Sequence, residues 1–308
     1  MNIQHPDIIV RYIKTKNKTR KITAYRSFDC NLRINHQKIY EFIEERFIPS
    51  IFTKGYVRGR SIFHNAISHM YNDYFIMLDI KDFFQRICHK QLTEKMYYEL
   101  NLVKSQQISK KECIDIVNMC SVSRRGIPLG FITSPILSNI YLKDFDCIFY
   151  GKVKQTSLNN IIYTRYADDI TVSFKHEGRE KIPEIESLIM DIVSTILSRY
   201  GLQVNKQKTR SYNLNTSNHV KVTGINIIKN NSGKRSLTVG KKIKNELFWD
   251  ATNCFETGDK NQAQRIKGMQ SFILSIEKCG YESCFSDAMM EKVHSMGFDT
   301  LKQLIDCL

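Results

Sequence analysis

Ile162-Tyr163-Thr164-Arg165-Tyr166-Ala167-Asp168-Asp169-Ile170-Thr171-Val172-Ser173-Phe174 is the stretch on which the fold turns. Two runs rich in β-branched and aromatic residues flank Ala167-Asp168-Asp169, which reads as a β-hairpin with carboxylates at its tip. Asp-Asp in a turn is ordinary by itself, because Asp favours turn positions. The flanking Ile, Tyr, Val and Phe predict a buried sheet, however, and an unpartnered carboxylate there is costly. Upstream, Phe75-Ile76-Met77-Leu78-Asp79-Ile80 is a second short, nearly all-apolar strand that also ends in a carboxylate. A divalent cation offsets the cost of gathering such acids: Mg2+ takes carboxylate oxygens together with substrate phosphates. Asp79, Asp168 and Asp169 are therefore the candidate catalytic metal ligands. A pair of Mg2+ ions about 3.5–4 Å apart activates a 3′-hydroxyl and stabilises a leaving pyrophosphate in an in-line displacement.

Around these strands the pattern alternates between helix and sheet. Arg20-Lys21-Ile22-Thr23-Ala24-Tyr25 reads as a strand within a first ~35 residues of strands and loops, and 37–48 as a helix with Ile39, Phe42, Ile43 and Phe47 on one face. Further helices are predicted at 61–71, 90–100, 109–120 and 184–199. Gly126-Ile127-Pro128-Leu129-Gly130 is a loop, and Ser134-Pro135 opens a long helix with the Ser hydroxyl as N-cap and Pro at the first position. The segment from 199 to about 244 reads as strand and loop, and 241–308 as helices separated by Gly258, Gly280 and Gly297.

The 308 residues are 42% hydrophobic and 25% charged, a globular composition, and no apolar run approaches membrane-spanning length. Nine Cys without a CxxC pair argue against a disulfide framework and against zinc, and the seven-residue spacing of Cys113 and Cys120 predicts one buried helix face. A soluble, intracellular, cytoplasmic protein with no membrane partner is expected. The net charge of +15 is unevenly spread. Residues 1–40 carry +7, and residues 199–244 hold eleven Lys and Arg with no carboxylate at all. A charge run is often only a solvated face, but so long an acid-free stretch points to a polyanion, most simply nucleic acid.

Together these residues carry a resemblance. Ile162 through Asp169 resembles the YxDD hairpin of reverse transcriptases, Leu78-Asp79-Ile80-Lys81-Asp82-Phe83-Phe84 their first catalytic strand, and 126–135 the loop and helix over the incoming nucleotide. Asn65-Ala66-Ile67-Ser68-His69 is similar to the NAxxH element of bacterial retron reverse transcriptases, and Val222-Thr223-Gly224 to their VTG element at the thumb entrance. The resemblance implies an α+β right-hand polymerase. Fingers and palm, an antiparallel sheet plus helices, would interleave over 1–218, and a small, mostly helical thumb that binds RNA and primer-template would follow over 219–308.

It also implies roles residue by residue. Asp79, Asp168, Asp169 and the Ile80 carbonyl would hold two Mg2+ ions. Phe84 would lie under the nucleotide sugar as a steric gate, although Phe83 and Phe84 also read as plain core. Arg20, with Lys18 as runner-up, would grip the triphosphate, unless each is merely an exposed strand charge. Gly130 would offer its backbone to the nucleotide, and Lys208 would stand near the leaving pyrophosphate. Val222, Thr223, Gly224, Lys241 and Lys242 would hold primer and RNA. Asn65, Ala66 and His69 form a family element whose chemistry is unspecified, and His69 reads equally as a histidine satisfied by a neighbour. Leu129 stands where many family members have Gln and cannot hydrogen-bond a nucleotide; bulky Phe131 would narrow the room beside the helix start.

The activity implied is synthesis of single-stranded DNA from dNTPs on a cognate structured non-coding RNA, primed from a guanosine 2′-hydroxyl. The product would be a branched RNA–DNA molecule (msDNA), and a separate effector protein in antiphage defence would be a partner. Two other readings stay open: a non-retron defence enzyme making untemplated or protein-primed DNA, and an RNA-binding scaffold. The retained Asp79, Asp168 and Asp169 speak against the scaffold.

Overall fold

The computed structural model describes residues 6–15, 18–102, 107–178, 181–230, 232–259, 261–278 and 280–308; the side chains of Thr15, Lys18 and Arg20 lie outside the described residues. In chain order the elements are β1 (Ile8–Thr15), β2 (Lys18–Tyr25), α1 (Asn31–Glu44), α2 (Ile62–Ser68), β3 (Tyr74–Asp79), α3 (Phe83–Arg86), α4 (His89–Leu100), α5 (Lys110–Met119), α6 (Ser134–Lys154), β4 (Ile162–Tyr166), β5 (Asp169–Phe174) and α7 (Ile182–Arg199). Then follow β6 (Arg210–Asn213), β7 (His219–Val222), β8 (Ile225–Lys229), β9 (Arg235–Thr238), α8 (Lys241–Thr257), α9 (Ala263–Ile276), α10 (Asp287–Ser295) and α11 (Leu301–Cys307). This is an α+β chain whose pairings are antiparallel throughout the named registers. Among the described residues no helix is long and apolar enough to cross a membrane.

The chain divides into two compact units, Met1–Asn65 with Asn72–Tyr212, and Ala66–Tyr71 with Asn213–Leu308. The first is built on a four-stranded sheet in the order β4-β5-β3-β6. β3 and β5 are its inner strands and nearly every residue of both is buried, which explains the apolar run Tyr74–Leu78 of β3, whereas β5 alternates Ile170, Val172 and Phe174 with the buried Thr171 and Ser173. α6 supplies much of the core: Leu137, Tyr141, Phe145, Phe149 and Val153 recur every fourth residue and are fully buried. Cys113 and Cys120 are both buried, as their spacing predicts, and burial pushes each thiol up to about 11.

Two helix starts differ from the sequence reading. α1 begins at Asn31 rather than near 37, because the Asp7 carboxylate accepts from the Leu32 amide at 3.0 Å. That cap comes from a distant segment and leaves no local signal. At α6 the Ser134 hydroxyl is not the cap; Thr133 takes that place, and Ser134 donates to the Pro128 carbonyl at 2.7 Å, tying the helix to the preceding loop.

The second unit pairs a three-stranded sheet, β7-β8-β9, with helices α8–α11. Alternate residues of the sheet, among them Val220, Val222, Ile225, Ile227 and Leu237, are buried, and Leu247, Phe248, Ala251, Ile266, Ile273, Leu301 and Leu304 complete the core. Glu277 knots this unit together: it accepts from Thr238 Oγ1 at 2.7 Å and the Val239 amide at 3.0 Å, and pairs with Lys244 at 2.9 Å.

Candidate active site

The register of β3 on β5 places Asp79 directly opposite Asp169. β4 pairs with β5 so that Tyr166 faces Asp169, leaving Ala167 and Asp168 as a two-residue turn. Its first position requires positive φ, normally a glycine's task, and Ala167 adopts φ 56°. The Ile80 amide donates to the Asp168 carbonyl at 3.0 Å, so the hairpin tip is stitched to the end of β3. Asp79 and the distant Asp168-Asp169 pair thus meet at one end of the sheet. Asp79 is buried, Asp168 half-buried and Asp169 exposed.

All three, with Ile80, line a cavity of 420 Å³. Phe83, Phe84 and Leu129 form its apolar wall, and Thr19, Lys21, Asn205 and Lys208 supply polar groups. Lys208 bonds to Asp79 Oδ1 through its ammonium, and Asn205 Nδ2 donates to Asp79 Oδ2 at 3.2 Å. Tyr56 also lines this cavity, its ring 6.0 Å from that of Tyr166. Burial, and then Tyr166, Asp168 and Asp169, push its phenol above the ordinary value, so it stays neutral. A larger cavity of 510 Å³ lies beside it, past Tyr56, among Tyr40, Glu44, Arg58 and Arg60, and none of Asp79, Asp168 and Asp169 lines it.

Among the described residues no three His, Cys, Asp or Glu side chains form a ready-made metal cluster. The donor set nonetheless fits a hard divalent ion. Carboxylates and a peptide carbonyl at an open cavity are what Mg2+ uses when substrate phosphates complete its shell. The Lys208 ammonium already places one cation on Asp79.

The other predicted residues fall as follows. Phe84 is buried and lines the cavity, but it sits in the single helical turn α3, after Asp82 at φ 48°, rather than on the strand's extension. Phe83 lines the cavity as well, and the two rings meet edge-on at 5.2 Å. Gly130 (φ 109°) is fixed by packing: a Cβ there would stand 2.3 Å from the Thr23 carbonyl oxygen, where β2 docks through a 2.9 Å bond from the Thr23 amide to the Leu129 carbonyl. Phe131 turns away from the cavity and stacks on Tyr25 at 5.1 Å and against His36 at 4.8 Å. The predicted triphosphate contacts Lys18 and Arg20 have side chains outside the described residues; among the described side chains of β2, Thr19 and Lys21 line the cavity.

In the second unit Val222 is core, and Thr223 (φ 44°) and Gly224 (φ 93°) are the two-residue turn between β7 and β8. A β-branched residue at positive φ is strained. Lys241 and Lys242 are exposed at the start of α8. Asn65, Ala66 and His69 are all buried, with His69 just past the end of α2.

Sequence reasoning missed Lys21, Tyr56 and Asn205. Strand alternation picks out Lys21 together with Thr19 once either faces the site. Tyr56 owes its place to a left-handed backbone, φ 58°, that no pattern announces.

Residues 12–227 match the family profile described as reverse transcriptase (RNA-dependent DNA polymerase). The chain is similar to the retron Ec73 reverse transcriptase of Escherichia coli, 29% identical over 177 residues, 56% of this chain and 54% of that protein. It is also similar to the retron Ec86 reverse transcriptase of Escherichia coli, 26% identical over 237 residues, 76% of this chain and 66% of that one. The matched part therefore spans between half and two thirds of those relatives. Among solved structures, apo telomerase from Candida tropicalis truncated from its C-terminal domain aligns over 71% of this chain and 52% of that one, with 16% identity and a TM-score of 0.47.

Proposed function

The chain belongs to the reverse transcriptase family, and on that premise we propose that it is the RNA-directed DNA polymerase of a retron. It copies part of a cognate structured RNA into single-stranded DNA, leaving a branched RNA–DNA product, and serves in antiphage defence beside a separate effector protein. The observation that carries the reading is the pairing of Asp79 with Asp169, beside Asp168, at a cavity wide enough for a nucleotide. Reverse transcriptases use divalent metal ions. Asp79, Asp168, Asp169 and the Ile80 carbonyl would hold two Mg2+ ions, which would supply activation of the primer hydroxyl and charge stabilisation of the leaving pyrophosphate.

The chain's own groups do the rest. Phe84 closes the cavity beneath the sugar and selects dNTPs, and Leu129 packs against the nucleotide. Lys21 and Lys208 meet the triphosphate charge, with Lys18 and Arg20 on the same strand as Lys21 and Gly130 fixing the loop above. Residues 219–308 act as the thumb: Thr223 and Gly224 meet the primer from a turn that the buried Val222 anchors in the core, and Lys241 and Lys242 hold RNA phosphates.

Purified Asp168→Asn should stay folded and RNA-bound while primer extension falls by about 10²-fold or more, since a charge-stabilising group at the reacting centre is lost. Near-normal extension by that variant ends the reading.

A further inference from the structure

Arg165 is among the largest fully buried side chains of the chain, and its partner Asp146, on α6, is equally buried. A buried ion pair is weak evidence for stability, because desolvation consumes most of the attraction. What the pair touches is therefore the informative part. Arg165 Nε donates to Asp146 Oδ1 at 2.7 Å, and Nη2 donates to Oδ2 at 2.9 Å and to Thr53 Oγ1 at 2.8 Å. Nη1 donates to Asn139 Oδ1 and to the Ala167 carbonyl, both at 3.2 Å. Every N–H of the guanidinium has an acceptor, and one acceptor is the backbone of the catalytic turn. Asp146 is held in turn by the Tyr163 hydroxyl at 2.6 Å and the Thr53 hydroxyl at 2.8 Å. Burial works against the Arg165 charge, but Asp146 and then Tyr163 together more than offset it, and the guanidinium pKa is raised.

A second contact reaches the same turn from outside. The chain at 52–55 runs along the free edge of β4: the Arg165 amide donates to the Phe52 carbonyl at 3.0 Å, and the Lys54 amide to the Arg165 carbonyl at 2.7 Å. Arg60 braces this segment through the Ser50 and Thr53 carbonyls, at 2.6 and 2.7 Å. Gly55 then passes so close to the turn that a Cβ would stand 3.0 Å from the Ala167 nitrogen and 3.1 Å from the Tyr166 ring. Asn139 joins the two contacts, donating to the Gly55 carbonyl at 3.0 Å while accepting from Arg165. A left-handed alanine persists only where its surroundings over-determine it, and here they do so from both sides.

We propose that Arg165, Asp146, Asn139 and Gly55 are positioning residues: they fix the Ala167 backbone and thereby set where the Asp168 carboxylate stands. This rests on the reading of Asp168 as catalytic. The ion pair serves the geometry of the turn, and its contribution to stability is secondary. Three variants test it, Asn139→Ala, Gly55→Ala and Arg165→Lys, each read by amide hydrogen exchange, thermal midpoint, steady-state kinetics and Mg2+ requirement. Exchange at 167–169 should speed up by tenfold or more while β3 amides keep their wild-type rates. A misplacement of about 1 Å costs on the order of 100-fold in kcat; the KM for dNTP should stay within about twofold, and the Mg2+ concentration for half-maximal rate should rise. A variant that melts earlier yet keeps wild-type exchange at the turn, kcat and Mg2+ requirement overturns the proposal, leaving an ordinary core ion pair. Should Arg165→Lys fail to fold, Asn139→Ala and Gly55→Ala decide. Retained activity in Asp168→Asn would defeat the functional reading alone, because exchange at the turn reports positioning without any turnover.

Discussion

Phe84 carries the prediction about product chemistry. Its ring is buried against Phe83 and faces the cavity of the three carboxylates. A planar apolar ring beneath a ribose leaves a 2′-hydroxyl neither room nor a hydrogen-bond partner, and a desolvated, unpaired hydroxyl is costly. The wild type should strongly prefer dNTPs, and Phe84→Ala should admit rNTPs at some cost in rate; single-nucleotide incorporation of matched dNTP and rNTP measures both. Unchanged selectivity would move the gate elsewhere. At this scale the sequence was most legible where chemistry is local. Asp79 ends β3, Asp169 opens β5 and Asp168 stands in the turn before it, and acids at the ends of β-rich runs are conspicuous. Arg165 was read as one more strand residue because its meaning lies in Asp146, on another element, and in Thr53, 112 positions away. No periodicity records such a pairing.

Among elements, the docking of the β1–β2 hairpin on the loop before α6 depends on a missing methyl group. Gly130 combines φ 109° with a 2.3 Å approach of a hypothetical Cβ to backbone, which no side-chain rotation relieves. Gly130→Ala should therefore destabilise the first unit by roughly 1–3 kcal/mol, seen in urea melts, and should raise the KM for dNTP as β2 is displaced from the cavity. A wild-type KM and midpoint would mean the hairpin docks by other contacts. Element type was legible wherever apolar spacing was strong, as in α6, β3 and β5. Boundaries were lost where a distant group sets them, as with the Asp7 cap on α1. The short turn α3 was invisible too, since four residues carry no helical period.

At the scale of the whole molecule, charge bears on the proposed RNA partner. The acid-free residues 199–244 hold eleven of the basic side chains and run through β6–β9 to the start of α8. Affinity built on phosphate contacts falls with salt as counterions are released, so RNA binding should weaken by on the order of 10³-fold between 50 and 200 mM salt. A titration with weak salt dependence would assign recognition to base contacts instead. The division of the chain has a different kind of consequence. Ala66–Tyr71 lies within the sequence of the first unit yet packs with the second, where Arg235 donates to the Met70 carbonyl at 3.3 Å. During synthesis those six residues leave the ribosome long before Asn213–Leu308, and the second unit stays incomplete until the end of the chain arrives. A fragment cut at 213 lacks part of its own interior, so a chimera that exchanges the C-terminal unit has to carry the internal hexapeptide with it.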